Sequence, residues 1–292
     1  MFQMAFPSWV TSGGIGDNAS FICERWQRLC EAGLVPGNIN PSPEIGLCFF
    51  ESAACLDYGA EDLPASLAWL PCTWHVHLPL DLPFCTSLNL TAAQVRSSFA
   101  ACRRLIQKTE FLNMSYAVLH PPAVAQEHRQ TADALGMFKE MWEDAGYTPA
   151  SLLLENQPES NLLQLSLHVQ ENGLGGCLDL AHLYMNPARK IDSEGLETFM
   201  MQSRLWHINA PGPDYKGHSP LNALTAGQER EYRVLFEKLG RLKLSGQFGE
   251  PGQIRPANYP TFMLELFNWE YVEQSLAHIL TNLYLFDNPV PF

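Results

Sequence analysis

Six short apolar runs in this chain end in His, Asp or Glu, and they follow one another at intervals long enough for a helix and a strand. Cys72–Trp74 leads into His75 and His77, Tyr116–Leu119 into His120, and Leu152–Leu154 into Glu155. Cys177–Leu178 leads into Asp179 and His182, Leu205–Trp206 into His207, and Phe262–Leu264 into Glu265. In a parallel β/α barrel the carboxyl ends of all strands meet on one face, where active sites lie. Residues scattered along the chain would then converge. The pattern predicts a metalloenzyme.

The rest of the chain supports that architecture. Strand-like segments are expected at 3–10, 44–51, 70–77, 115–120, 151–155, 175–180, 204–209 and 261–267, with helices at 17–33, 91–111, 125–146, 160–172, 193–202, 225–244 and 269–284. Such alternation favours a mainly parallel sheet, and eight strands predict an α/β fold, a single (β/α)8 TIM barrel spanning 1–292. Segment 91–111 shows the logic: Thr91 is a plausible N-cap, and Val95, Phe99, Cys102, Leu105 and Ile106 share one stripe at helical spacing. Between the second and third strands only a short acidic stretch is available, so one βα unit is expected to be degenerate. Long irregular stretches at 78–90, 210–224 and 245–260 adjoin strand ends, where they would shape the C-terminal face.

Composition narrows the function. The 292 residues carry a net charge of −13, and a groove that tracks phosphate backbones normally has a surplus of Lys and Arg. The densest basic group, Arg103, Arg104 and Lys108, lies on one predicted helix, so general nucleic-acid binding is not expected. The eight cysteines form no CxxC pair, which reads as reduced thiols rather than a disulfide frame. No basic leader precedes an apolar stretch at the N-terminus, and no run approaches roughly 18 apolar residues. The expectation is a soluble, cytoplasmic protein with no membrane partner; its oligomeric state is left open.

The candidate ligands are His75, His77, His120, Glu155, Asp179, His182, His207, His218 and Glu265. His75 and His77, two apart on a strand, share a face, which leaves open which one meets an ion and which steadies it. Imidazole with carboxylate suits zinc, manganese or iron, whereas magnesium and calcium prefer nearly all oxygen. So many ligands exceed the needs of one tetrahedral ion. Two or three divalent ions are expected, zinc first, with no thiolate among their ligands. Paired ions roughly 3.5–4 Å apart clamp the attacking and leaving oxygens of a phosphoryl displacement. Glu155 and Glu265 are the expected catalytic carboxylates. A lone histidine at a strand end is more often an ordinary hydrogen-bonded residue, but six strand ends with ligand-type residues outweigh that reading in a chain of nine histidines. His128, His168 and His278 fall inside helix patterns and are expected to be non-functional. The roles of Asp214 and Glu51 stay open.

The order of these ligands, with the Asp179-Leu-Ala-His182 step and the His207-Ile208-Asn209 tripeptide, resembles the xylose-isomerase-like barrel superfamily over essentially the whole chain. Within it the match looks like the apurinic-site endonuclease branch, which implies a trinuclear zinc cluster. That branch has an Asp-x-His pair after strand seven, where this chain reads Lys216-Gly217-His218. The stretch from Trp74 to Pro83, WHVHLPLDLP, is more specifically similar to the cobamide-remodelling phosphodiesterases. That resemblance implies hydrolysis of the nucleotide-loop phosphodiester of cobalamin-type cofactors to a cobinamide phosphate and the lower-ligand riboside. The alternatives are a single-ion sugar isomerase or epimerase of the same superfamily and an AP-endonuclease-like DNA repair enzyme.

Overall fold

The computed structural model describes residues 2–123, 128–185, 194–212, 218–244 and 260–287. Its centre is a closed barrel of eight parallel strands: β1 (Gln3–Pro7), β2 (Glu44–Cys48), β3 (Thr73–His77), β4 (Ala117–Leu119), β5 (Leu152–Glu155), β6 (Gly175–Asp179), β7 (Ser203–His207) and β8 (Thr261–Met263). Neighbours in sequence are neighbours in the sheet, and β8 closes on β1 through the pairs Gln3–Thr261, Met4–Phe262 and Ala5–Met263. Every strand overlaps its expected span. This is a (β/α)8 TIM barrel.

Helices Ile15–Glu31, Ala92–Lys108, His128–Asp144, Leu162–Asn172, Glu194–Gln202, Ala226–Leu244 and Trp269–Asp287 surround the strands. Local chemistry sets their ends. Thr91 forms the capping box with Gln94: its hydroxyl accepts from the Gln94 backbone N–H at 3.3 Å, and Gln94 Oε1 accepts from the Thr91 N–H at 2.9 Å. Asn161 caps the helix Leu162–Asn172, which ends at Gly173 in the left-handed region (φ 64°), where a Cβ would be strained. Between β2 and β3 only a one-turn helix, Ser52–Leu56, and a 3-10 turn, Ala65–Trp69, are formed, so the degenerate unit is where the sequence placed it. No described helix is long and apolar enough to cross a membrane.

Alternation along each strand divides the core in two. Trp74, Val76, Leu119, Leu152, Leu154, Leu178, Trp206, Phe262 and Leu264 face outward into the layer between sheet and helices. The other parity faces the lumen, where Ala5, Cys48, Val118, Leu153, Cys177, Leu205 and Met263 form a separate apolar layer. Fully burying side chains of this size stabilises by roughly 1.5–3 kcal/mol each, so both parities are fixed. A one-residue slip on any strand would exchange them.

Candidate metal centre

One step of the same alternation carries each strand from the apolar lumen layer to its candidate ligand: Val118 to His120, Leu153 to Glu155, Cys177 to Asp179, Leu205 to His207, and Met263 to Glu265. The β3 member is His77. These six side chains meet with His182 and His218 above the C-terminal end of the barrel. Glu155 is the centre. Its Oε2 lies 2.8 Å from His77 Nε2 and 3.3 Å from His120 Nε2, while Oε1 lies 3.4 Å from His182 Nδ1 and 3.4 Å from His207 Nδ1. His207 Nδ1 is also 3.2 Å from Glu265 Oε2 and 3.7 Å from Asp179 Oδ2. His218 Nδ1 approaches the same Glu265 oxygen at 3.2 Å.

Ligand atoms that all lie within 4.8 Å of one another define overlapping sets. These include Glu155, Asp179, His207 and Glu265; His77, His120 and Glu155; and His77, His207 and Glu265. The donor chemistry fits divalent cations. A carbonyl only accepts hydrogen bonds, so His77 Nδ1, 3.1 Å from the Leu78 carbonyl, carries the proton there. The Nε2 lone pair of a neutral His77 then faces Glu155 oxygen, an arrangement that calls for a cation between them. His182 Nδ1 donates to the Asn156 carbonyl at 2.8 Å, which frees its Nε2 in the same way. His207 is buried with no hydrogen-bond partner on either ring nitrogen. An orphaned buried imidazole is costly unless something else takes its lone pair.

The buried groups of the cluster shift one another's ionisation. Burial alone would raise the Glu155 pKa, but His207 and His120 hold it well below the usual carboxylate range. Burial likewise opposes ionisation of Asp179, which His182 nonetheless draws down. Burial pulls His207 down, and Glu265 and Glu155 lift it well above 6.5. His77 is raised by Glu155 against its own burial, whereas in His120 burial prevails and the pKa falls. The cluster thus favours charged carboxylates, the electrostatic setting in which a cation is stabilised.

Three expectations are corrected or refined by the structure. His75 is not brought into the cluster: it occupies the lumen layer two residues deeper on β3. There its Nδ1 is 2.7 Å from Glu44 Oε1 and its ring stacks on Tyr116, whose hydroxyl also donates to Glu44. It does not steady His77 either, because His77 Nδ1 is taken by Leu78. A sulfur is present: Cys177 stands with Glu155 and His207 in one ligand-spaced set, although burial pushes its thiol up to about 12 and keeps it protonated. Glu51 is exposed at the start of the short helix Ser52–Leu56. Asp214, Lys216 and Gly217 lie outside the described residues, as does the side chain of His128.

Two asparagines were given no role by the sequence, although Asn209 belongs to the His207-Ile208-Asn209 tripeptide. Asn156 clamps β5 to β6, donating to the Asp179 carbonyl at 3.0 Å and accepting from the Asp179 N–H at 2.7 Å. Asn209 is fully buried, and its Nδ2 reaches His218 Nδ1 at 2.7 Å and both Asp179 Oδ2 and Glu265 Oε2 at 3.3 Å. Asn156 directly follows the ligand Glu155 and Asn209 stands two after His207, which is the signal that could have found them.

Comparison with solved structures gives this geometry a context. The chain is similar to endonuclease IV from Thermus thermophilus, at 15% identity and a TM-score of 0.57 over 97% of this chain and 98% of that one. It is similar to a D-tagatose 3-epimerase-like protein at 16% identity and a TM-score of 0.64, covering 99% and 100% of the two chains. A third similar structure is a Thermus thermophilus protein soaked with zinc chloride, at 17% identity, a TM-score of 0.54 and 97% and 98% coverage. The barrel fold is shared with all three. No protein-family model and no curated protein sequence matches the chain.

Proposed function

We propose that the chain is a metal-dependent phosphodiesterase whose centre holds two or three divalent cations. One observation carries this reading: the two oxygens of Glu155 face different imidazole nitrogens, His77 Nε2 and His120 Nε2 on Oε2 and His207 Nδ1 on Oε1. A carboxylate set this way would suit two separate ions, one on each oxygen. His77 and His120 would hold one ion with Glu155. Asp179, His207 and Glu265 would hold a second, and His182 and His218 flank the cluster at its rim. Divalent ions held by these residues would supply Lewis acidity toward a phosphodiester and its attacking water. Glu265, with His218 3.2 Å from its Oε2, would accept a proton from the attacking water. Glu155, faced by imidazoles on both oxygens, would keep the set together.

The substrate proposed is a cobamide, cleaved at its nucleotide-loop phosphodiester. This finer assignment rests on the Trp74–Pro83 stretch alone; the similar solved structures are endonucleases and epimerase-like proteins. A net charge of −13 disfavours a duplex DNA substrate. The second reading is a one-ion sugar epimerase, favoured by the compact set Glu155, Asp179, His207 and Glu265 and by the likeness to the epimerase-like protein. One experiment separates them. Elemental analysis of the purified protein is paired with incubations of the metal-replete enzyme with a cobamide, bis-p-nitrophenyl phosphate and D-tagatose, products being read by mass spectrometry. Two or more ions with phosphodiester cleavage supports the proposal. One ion with sugar turnover replaces it.

A further inference from the structure

Six strands present a candidate ligand at the mouth, one step above the lumen layer. β2 follows the same step with a different residue: Cys48 belongs to the lumen layer, and Phe50 comes two positions later. The chain stays in register beyond the strand, since the Phe49 N–H donates to the His77 carbonyl at 3.0 Å. After β1 stands Trp9, whose indole N–H donates to the Cys48 carbonyl at 3.1 Å. After β8 stands Phe267, which packs with Trp9 against the lumen layer. Phe267 meets Phe50 edge-on, with ring centroids 5.3 Å apart and planes at 75°, and meets His218 at 5.5 Å and 84°. The mouth is thus divided. Ligands line the arc from β3 to β8, and an aromatic wall lines the arc from β8 through β1 to β2, the two joining at Phe267 and His218.

The wall is braced from the stretch that carried the cobamide resemblance. Asp81 accepts from both the backbone N–H and the hydroxyl of Ser52, each at 2.9 Å, which ties the loop after β3 to the loop after β2 beside Phe50. Phe50 is nevertheless 41% exposed. The only polar group on the three rings, the Trp9 N–H, is already committed to Cys48. The three rings themselves offer a polyol no free hydrogen-bonding group, while a flat ring would gain stacking area on them.

We propose that Phe50, Phe267 and Trp9 form a stacking subsite for a flat heteroaromatic ring that the substrate carries next to its phosphodiester. The inference rests on the phosphodiesterase reading and adds an orientation to it: the phosphate lies over the ligands and the heterocycle lies against the wall. Full-length zinc-loaded protein and its F50A variant are titrated with benzimidazole riboside by calorimetry, with cobinamide, which lacks that ring, in parallel. Riboside binding is expected to weaken about tenfold in F50A, in line with the usual loss on removing a base-stacking ring. It should weaken similarly in F50L, which keeps apolar bulk without a stacking face, and recover in F50Y. Equal riboside binding by wild type and folded F50A overturns the proposal, and so does binding of cobinamide without the riboside. Zinc-loaded protein that cleaves no phosphodiester, yet loses the riboside on F50A, keeps the subsite and removes the phosphodiesterase reading alone.

Discussion

Asn209 offers the sharpest test of how the cluster is held. Its Nδ2 has two hydrogens and three neighbours that accept: His218 Nδ1 at 2.7 Å, and Asp179 Oδ2 and Glu265 Oε2 at 3.3 Å. Hydrogen bonds to charged groups contribute about 1.5–3 kcal/mol each, and the 3.3 Å pair belongs at the lower end. Asn209→Ala would also remove the amide that stands between two carboxylates. If the bond to His218 and one bond to a carboxylate are lost, the ion that Asp179 and Glu265 would hold is destabilised by about 2.5 kcal/mol, equivalent to a roughly 70-fold loss of affinity. Loss of a group that orients ligands typically costs about 10–100-fold, so the structure places Asn209 at the upper end. The assay is zinc competition against a chromophoric chelator, with wild type and variant compared at one pH. The weaker of the resolved binding steps should drop by that factor, while the His77–His120 step changes little. An Asn209→Ala protein that is folded and binds every ion within threefold of wild type would refute the reasoning.

Glu155→Gln keeps the shape of the bridging residue but removes its charge, and elemental analysis should show at least one ion lost together with phosphodiester turnover. Gly46→Ala would place a Cβ 2.6 Å from His75 Nε2 and 2.9 Å from Met263 Cε; overpacking of this kind costs about 1–3 kcal/mol, read by urea unfolding, and His75→Ala in the same chain should recover part of it. Metal removal by a chelator should lower the melting temperature, and added zinc should restore it by mass action. The metal-free and zinc-loaded proteins should also respond oppositely to pH. In the metal-free protein the raised His77 and His207 contribute stability that is complete below 6.5 and is lost as pH climbs through their folded values. Zinc binding strengthens over the same range because protons no longer compete for imidazole. Melting curves from pH 6 to 9 check both slopes, and a metal-free protein that gains stability across that interval contradicts the assignment.

The barrel was legible because its strands end in chemistry. Leu152–Glu155 and Leu205–His207 announce both a buried strand and its open end, so the number, order and direction of the strands could be read from ligands and helix-length spacing. The degenerate unit after β2 was visible for the opposite reason, since DYGAEDLPASLAW offers no apolar stripe. What the pattern could not separate was depth. His75 and His77 share a face by parity, yet only one reaches the cluster, because depth depends on the register with Gly46 and Cys48 on β2. The partner that keeps His75 below, Glu44, is 31 residues away and reads in sequence as an ordinary strand-start carboxylate. Cys177 was likewise assigned by residue type rather than by its place one step under Asp179. Asn209 and Asn156 are neutral amides whose importance comes only from the groups that the fold brings within reach.

The unequal distribution of ligands around the barrel bears on how the molecule opens. Cations would cross-link β3 through β8 above their ends, but β1 and β2 meet the rim with Trp9 and Phe50 and stay outside that clasp. Loading the centre should therefore slow amide hydrogen exchange along six staves and leave the seam between β8, β1 and β2 comparatively free to breathe. The loosest edge of the cylinder would then lie beneath its aromatic side.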